Sequence, residues 1–431
     1  MKILLTIEDI SYGRGAERVT VNLANALSGG HEVTILSFYQ RHPTLPYTNI
    51  NPQVNLIFKY NYEQSIAQES AKKQFFKGLY YKNIHKILLS YEMRKANYDF
   101  VISSGFIYFP YFKNPKTRYI KIIHTNFHRY SSRNKYFDML ITLSNKELPL
   151  WQQYHKNVKM IPNFIPQIPQ KSTNHKQKVI ISVGSLTAEK GFLRLIDIWG
   201  MVQEMIANPN ANRESPTSSL RENEHSEFLW QSTSRESKID CHDLTSSNLA
   251  MTGKNHAESR NDDRDSPSLA EGDTGGGFDS QNLTQWKLII VGDGILKPEI
   301  ESKIHALNLQ DSIIIKPFTK DIESEYLSAS IYAMASHFEG FPMVLVEASS
   351  YALPCIAFDI ATGPSDIIEH NQSGFLIADN DLESYAKHLM LLMSDESMRI
   401  RFGSEAKRIV GERFSKEVVM EKWREVFETQ L

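Results

Sequence analysis

Short apolar runs alternate with longer amphipathic stretches along most of this chain. The run at 2–7, KILLTI, reads as a first strand, and the stretch after it places Val19, Leu23, Ala26 and Leu27 on one helical face. Gly29-Gly30 stops that helix, and HEVTILSF (31–38) follows as the next strand. VNLIFK (54–59), FVISS (100–104), RYIKIIH (118–124) and DMLITLS (138–144) continue the series. Strands separated by helical stretches predict a parallel sheet with crossover helices.

A proline-rich passage, IPNFIPQIPQKSTNHK (161–176), interrupts this rhythm and reads as a linker. The pattern then restarts with KVIISVGSL (178–186), WKLIIVGDG (286–294), SIIIKPF (312–318), SIYAMAS (330–336) and PCIAFDI (354–360). This second series predicts a second doubly wound α/β unit, with ligands expected at the carboxyl ends of the strands. The expected organisation is a first domain over 1–165, a linker at 166–177 and a second domain over 178–396. The helical segment 397–431 is expected to close the second domain or cross back over the cleft.

Composition changes this picture in one place. Residues 207–284 hold 13 serines and only three aromatics, Phe228, Trp230 and Phe278. Such a stretch buries too little apolar area to offset its ordering entropy, so a polar, disordered insertion is expected in the second domain. Length then fits two domains: 431 residues exceed one ordinary core, and the insertion accounts for the excess. Two cysteines exclude a disulfide scaffold or a four-cysteine metal site. No apolar run is long enough to span a bilayer, and the first residues read as a strand, not a leader, so a cytoplasmic protein is expected.

The formal net charge of -2 conceals an asymmetry. Residues 1–171 carry 23 Lys+Arg against 10 Asp+Glu, whereas 285–431 carry 14 against 23. A basic first half joined to an acidic last third suggests that the halves meet different partners. In the basic half, 71–96 sets Phe75, Phe76, Leu79, Tyr80, Ile84, Ile87, Leu88 and Tyr91 at helical spacing, flanked by Lys72, Lys73, Lys77, Lys82 and Lys86. Two readings stay open: an amphipathic helix packed on the sheet, or one resting peripherally on an anionic membrane. Nucleic acid is not expected, because no recognition motif accompanies the basic residues.

Candidate chemistry concentrates at expected strand ends. SYGRGAE (11–17) lies where a phosphate-binding turn would sit, with Gly13 and Gly15 allowing close approach to backbone N–H groups. SHFEGFPMVLVEASSYALP (336–354) places Glu339 in a loop and Glu347 eight positions later in the following helix. An ionised carboxylate there accepts hydrogen bonds from sugar hydroxyls. Lys190 can meet phosphoryl oxygens of a leaving group, and the Gly363-Pro364-Ser365 turn can add amides. His124 ends the strand RYIKIIH, where a histidine faces a cleft. No D-x-D pair follows a strand, and Asp262, Asp263 and Asp265 fall in the polar insertion, so neither a metal nor a bound cofactor is expected.

SVGSLTAEKGF (182–192), WKLIIVGDG, SHFEGFPMVLVEASS and FDIATGPSDIIEHNQSGFLI (358–377) together resemble the retaining glycosyltransferases of the GT4 class, over nearly the whole chain outside 207–284. The resemblance implies the GT-B fold, two Rossmann-like domains facing across a cleft. It implies transfer of a hexosyl or N-acetylhexosaminyl group from a nucleotide-sugar, UDP-linked, to a glycan or lipid-linked acceptor, with retention. It assigns Glu339, with Gly340, Phe341 and Pro342, to the transferred sugar and Glu347 to the ribose. Lys190 falls to the diphosphate and His124 to the sugar or acceptor. Ser185 stands where the family commonly has a phosphate-binding arginine, a role that Arg194 could take; His128 and Arg129 are lesser acceptor candidates, and Asn163 a hinge residue. A nucleotide-sugar epimerase, a glycan phosphorylase and a noncatalytic carbohydrate- or polyanion-binding protein share enough of these features to stand as alternatives.

Overall fold

The computed structural model describes residues 1–13, 15–46, 49–65, 84–125, 127, 130–208 and 283–430. The predicted insertion at 207–284 lies almost wholly outside the described residues, as do 71–83, His128 and Arg129.

The first sheet is parallel and seven-stranded, in the order β3-β2-β1-β4-β5-β6-β7. Its strands are β1 (Lys2–Asp9), β2 (Glu32–Tyr39), β3 (Asn55–Phe58), β4 (Phe100–Ser103), β5 (Arg118–Ile122), β6 (Met139–Thr142) and β7 (Val158–Met160). A second parallel sheet follows, β10-β9-β8-β11-β12-β13. It comprises β8 (Val179–Val183), β9 (Lys287–Val291), β10 (Ile313–Lys316), β11 (Ile331–Met334), β12 (Cys355–Asp359) and β13 (Gly374–Ala378). Both sheets reverse direction at their first strand, which opens a crevice at the carboxyl ends of the central strands. Two Rossmann-like sheets are thus present, and β7 and β13 extend the predicted strand series at its edges.

Strands covered on both faces must be apolar at nearly every position, which explains their run-like pattern. In β1, Ile3, Leu5 and Ile7 enter one apolar cluster while Leu4 enters the cluster on the opposite face. The helix α1 (Gly15–Leu27) buries Val19, Leu23, Ala24 and Leu27 against the first of these clusters. On the opposite face, α2 (His85–Met93) packs through Leu89 and Met93, an i, i+4 pair. Of the stripe read from the sequence, Ile84, Ile87, Leu88 and Tyr91 are exposed. No helix among the described residues is long and apolar enough to cross a membrane.

In the second sheet's lobe, α3 (Phe192–Ala207) and α4 (Met343–Ser350) cover the two faces, and α5 (Pro364–Ile367) follows β12. After α6 (Leu382–Ser394) the C-terminal helical segment is two helices, α7 (Glu396–Arg413) and α8 (Lys416–Gln430), which break at Phe414-Ser415. Asp381 and Asp395 cap α6 and α7, each carboxylate accepting from the backbone N–H three residues on. The linker is held firmly, since the amide of Ile165 donates to the carbonyl of Phe414 at 3.0 Å and Lys407 Nζ donates to the Pro169 carbonyl at 2.7 Å.

The helix α8 returns to the first sheet, where the Phe427 ring lies 4.7 Å from Phe100 of β4 and 6.0 Å from His31. Phe427 is fully buried, so Phe427→Ala should cost about 3–5 kcal/mol of stability through lost burial and the cavity left behind. Urea unfolding followed by tryptophan fluorescence measures this, and a loss below about 1 kcal/mol would show that the helix contributes little to the fold.

Candidate functional site

The turn after β8 and the loop after β11 meet at one ion pair. Lys190 Nζ donates to both carboxylate oxygens of Glu339, at 2.7 and 2.9 Å. Ser336 Oγ donates to the same carboxylate at 2.7 Å, and the Thr362 hydroxyl donates to the Glu339 carbonyl. Glu339 is 9% exposed, so it meets solvent on one narrow side. The glycine after Lys190 has a steric reason: Gly191 is left-handed, and a Cβ there would stand 1.8 Å from the Ala335 carbonyl oxygen.

Arg194 has a different task from the predicted one. Its Nε donates to the Ala335 carbonyl at 2.6 Å, one terminal nitrogen donates to Asp379 at 2.8 Å and Asn380 at 3.0 Å, and the other donates to the Ser336 carbonyl. The guanidinium also lies 4.1 Å from the Phe358 ring centroid. A buried group with four of its five N–H donors committed in this way holds the loop that carries Glu339. Ser185 is exposed in the turn after β8, consistent with access to a ligand but without a charge.

The two lobes touch at this same loop. A Cβ on Gly340 would stand 2.1 Å from the backbone oxygen of His124, so only glycine lets the loop lie against the end of β5. Arg18 of α1 reaches across to Glu347 of α4 at 2.8 Å, Lys146 Nζ donates to Asp359 at 2.6 Å, and Asn145 donates twice to Asp366 at 3.0 and 2.9 Å. Burial raises the Glu347 carboxyl, while Arg18 and the Tyr326 hydroxyl act against that rise. Arg18 is a partner for Glu347 that sequence reasoning missed, because nothing local links the two.

Of the other predicted residues, Gly15 opens α1 with free space where a side chain would go, and Pro342 precedes α4. The Phe341 side chain corrects its assignment: it is buried against Phe414, ring centroids 5.6 Å apart, and faces the core. Asn163 is buried in the linker. A cavity of about 680 Å³ beside that linker is lined by Thr173, His175, Ala352 and Lys407, and contains none of the site residues. Among the described residues, no group of three or more His, Cys, Asp or Glu is placed to hold a metal ion.

His124 stands at the end of β5 with Nε2 buried and, among the described residues, without a hydrogen-bond partner. Burial, reinforced by the charge of Lys121, lowers its pKa to about 4. It is therefore neutral at physiological pH, able to exchange a hydrogen bond with a hydroxyl but adding no charge.

Residues 278–409 match the family model Glycosyl transferases group 1. Over nearly full length the chain is 25% identical to the amylovoran biosynthesis glycosyltransferase AmsD of Erwinia amylovora, covering 99% of both chains. It is 23% identical to the GalNAc-α-(1→4)-GalNAc-α-(1→3)-diNAcBac-PP-undecaprenol α-1,4-N-acetyl-D-galactosaminyltransferase of Campylobacter jejuni, covering 95% of this chain and 93% of that one. Among solved structures, a mutant of S. aureus TarM in complex with fondaparinux, α-GlcNAc-glycerol and UDP superposes with a TM-score of 0.65 at 16% identity, covering 99% of both chains. The fold is GT-B. Together these findings support a GT-B glycosyltransferase, similar over 278–409 to group 1 and over nearly its full length to bacterial glycan glycosyltransferases.

The state of His124 in this GT-B fold has a measurable consequence. An unfolded histidine takes up a proton near pH 6.5, whereas His124 and the buried His175 resist until about pH 4. Stability should therefore fall as pH drops through that window, because the unfolded chain binds protons that the native one does not. His124→Gln should flatten the slope of unfolding free energy against pH by up to about 1.4 kcal/mol per unit between pH 6 and 5. An unchanged slope would show that His124 titrates normally.

Proposed function

We propose that this protein transfers a hexosyl or N-acetylhexosaminyl group from a UDP-sugar to a glycan or lipid-linked acceptor, with retention at the anomeric carbon. The observation that carries this reading is the Lys190–Glu339 pair, set beside the close approach of Gly340 to His124. A cation beside a carboxylate at the carboxyl edge of a Rossmann-like sheet suits a ligand with phosphates at one end and hydroxyls at the other. The likeness to a protein crystallised with UDP supports a UDP-linked donor, and the undecaprenol-linked substrate named for the Campylobacter relative supports a lipid-linked acceptor.

In this reading the donor lies along the second lobe. Lys190 and nearby amides stabilise charge on the departing diphosphate, while Glu339 and the Gly340-Phe341-Pro342 backbone fix the sugar. Glu347 holds the ribose once Arg18 gives way, so donor binding and the contact between lobes share one carboxylate. Neutral His124 positions a sugar or acceptor hydroxyl from the first lobe. Lobe closure excludes water and limits hydrolysis. The acceptor attacks from the face that the diphosphate leaves, and a phosphate oxygen takes the acceptor proton, which yields retention. The protein acts at the cytoplasmic face of a membrane, and the outward Ile87, Leu88 and Tyr91 of α2 beside Lys86, Arg94 and Lys95 support peripheral contact there.

Lys190→Ala and Glu339→Ala should each raise the barrier to turnover by about 2–4 kcal/mol. The measurement is nucleoside diphosphate release across a panel of nucleotide-sugars with a membrane extract as acceptor source, with the product anomer assigned by NMR. Near-normal turnover in both variants would overturn the site, and an inverted product would overturn retention.

A further inference from the structure

The first sheet carries a second polar group of residues that the donor-side chemistry does not use. Strand register aligns Thr6 with Ser103 and Ser103 with Lys121, and their outer neighbours in the row are Leu36 and Leu140. Leu4, Leu36, Val101, Tyr119 and Leu140 share one apolar cluster, while the alternate residues Ile3, Leu5, Ile102 and Ile120 belong to the other face. Thr6, Ser103 and Lys121 therefore form a polar row on an otherwise apolar face, three residues short of His124 along the chain.

Each member of this row is costly where it stands. Among the described residues, Thr6 Oγ1 and Ser103 Oγ are buried without a hydrogen-bond partner. Lys121 is 4% exposed, and its ammonium faces the rings of Phe109, Phe106 and Phe137 at 4.8, 5.0 and 5.6 Å, with no carboxylate paired to it among the described residues. Rings attract a cation but do not neutralise it. Two further cations crowd the same Phe109 ring, Lys86 at 5.5 Å and Arg133 at 5.7 Å. Burial and these two charges lower the Lys121 pKa to about 8, which leaves it protonated at neutral pH. Orphaned hydroxyls beside gathered like charges make poor packing but a ready-made receptor for an anion.

We propose that Lys121, Thr6 and Ser103, flanked by Lys86 and Arg133, bind a phosphate or diphosphate group of the acceptor. The site rests on the acceptor-side reading of the first lobe for what carries the phosphate, not for anion binding itself. The row ends at the carboxyl edge of the sheet where His124 waits, so an acceptor anchored by its phosphate presents its sugar end toward the transferred group. Exposed apolar groups rim the approach: Phe106, 56% exposed, covers the ammonium, and Leu88 and Tyr91 of α2 follow Lys86 along the helix. That rim suits a lipid diphosphate, whose tail would lie on the apolar groups with its head over Lys121.

The test uses the full chain saturated with UDP, so that the donor diphosphate position is filled, and repeats each titration in Lys190→Ala protein. Inorganic pyrophosphate, farnesyl diphosphate and glycerol 3-phosphate are titrated by calorimetry and by shift in melting temperature. Pyrophosphate should bind the UDP-saturated chain and the Lys190→Ala chain alike, and at least tenfold more weakly after Lys121→Met. Arg133→Gln, farther from the core, should weaken it as well and guards against a folding defect in the first variant. Farnesyl diphosphate binding more tightly than pyrophosphate supports a lipid-linked carrier, whereas glycerol 3-phosphate binding equally well supports the same site with a polyol phosphate. No binding of any probe, or affinity unchanged in both Lys121→Met and Arg133→Gln, overturns the site. Diphosphate release in the donor assay is read separately, so loss of turnover and loss of this site do not mimic each other.

Discussion

A carboxylate at the edge of burial, Glu339, is the constraint around which the rest of the structure is arranged. Its charge would be prohibitive in that position without the ammonium of Lys190 and the hydroxyl of Ser336. Those two partners can reach it only if the loop after β11 keeps one shape. Arg194 holds the carbonyls of Ala335 and Ser336, Thr362 holds the carbonyl of Glu339, and Gly191 leaves room for the Ala335 oxygen. Gly340 can then lie against the end of β5. One ion pair thus sets the backbone at which the lobes meet.

Charge is handled differently on the two sides of that meeting point. The second lobe pairs its ions: Lys190 with Glu339, Arg194 with Asp379, Lys316 with Glu325. The first lobe pairs Lys59 with Glu92 and Lys113 with Asp138, yet leaves Lys121 among aromatic rings with no carboxylate paired to it among the described residues, and holds His124 neutral through burial. A paired site exchanges partners when a ligand arrives, whereas an unpaired one gains its first. The segment charge of the sequence, basic first and acidic last, is the coarse trace of this difference.

Much of the fold was legible because strands covered on both faces must be apolar throughout, so β1, β2, β8 and β9 stand out as runs. The edge strands β7 and β13 did not stand out: VKM is three residues long, and GFLIA begins with glycine after a polar turn. At the site, the placement of Lys190, Glu339 and His124 was legible because each sits at a strand end or in a glycine-marked loop. The burial of Arg194 was not legible, since its carbonyl partners lie far along the chain and a helical arginine gives no sign that it is buried. Arg18 was invisible for the same reason. Nothing in RYIKIIH marks Lys121, and only the folded structure shows it boxed in by Phe106, Phe109 and Phe137.

The chain passes between its lobes twice, at 161–178 and again at Phe414-Ser415, and these passages are bound to each other. Ile165 donates to the Phe414 carbonyl and bridges Ser415 in parallel, while Phe414 packs on Phe341 beside the loop that carries Glu339. A single connecting strand would let the lobes swivel freely about it. Two strands stitched side by side act as a strap hinge: they resist twisting and shear, and leave bending across the pair as the soft motion. Because Phe414 is one of the stitches, any opening of that hinge is felt at the base of the loop that presents Glu339, so access to the crevice and the posture of its carboxylate are mechanically one variable.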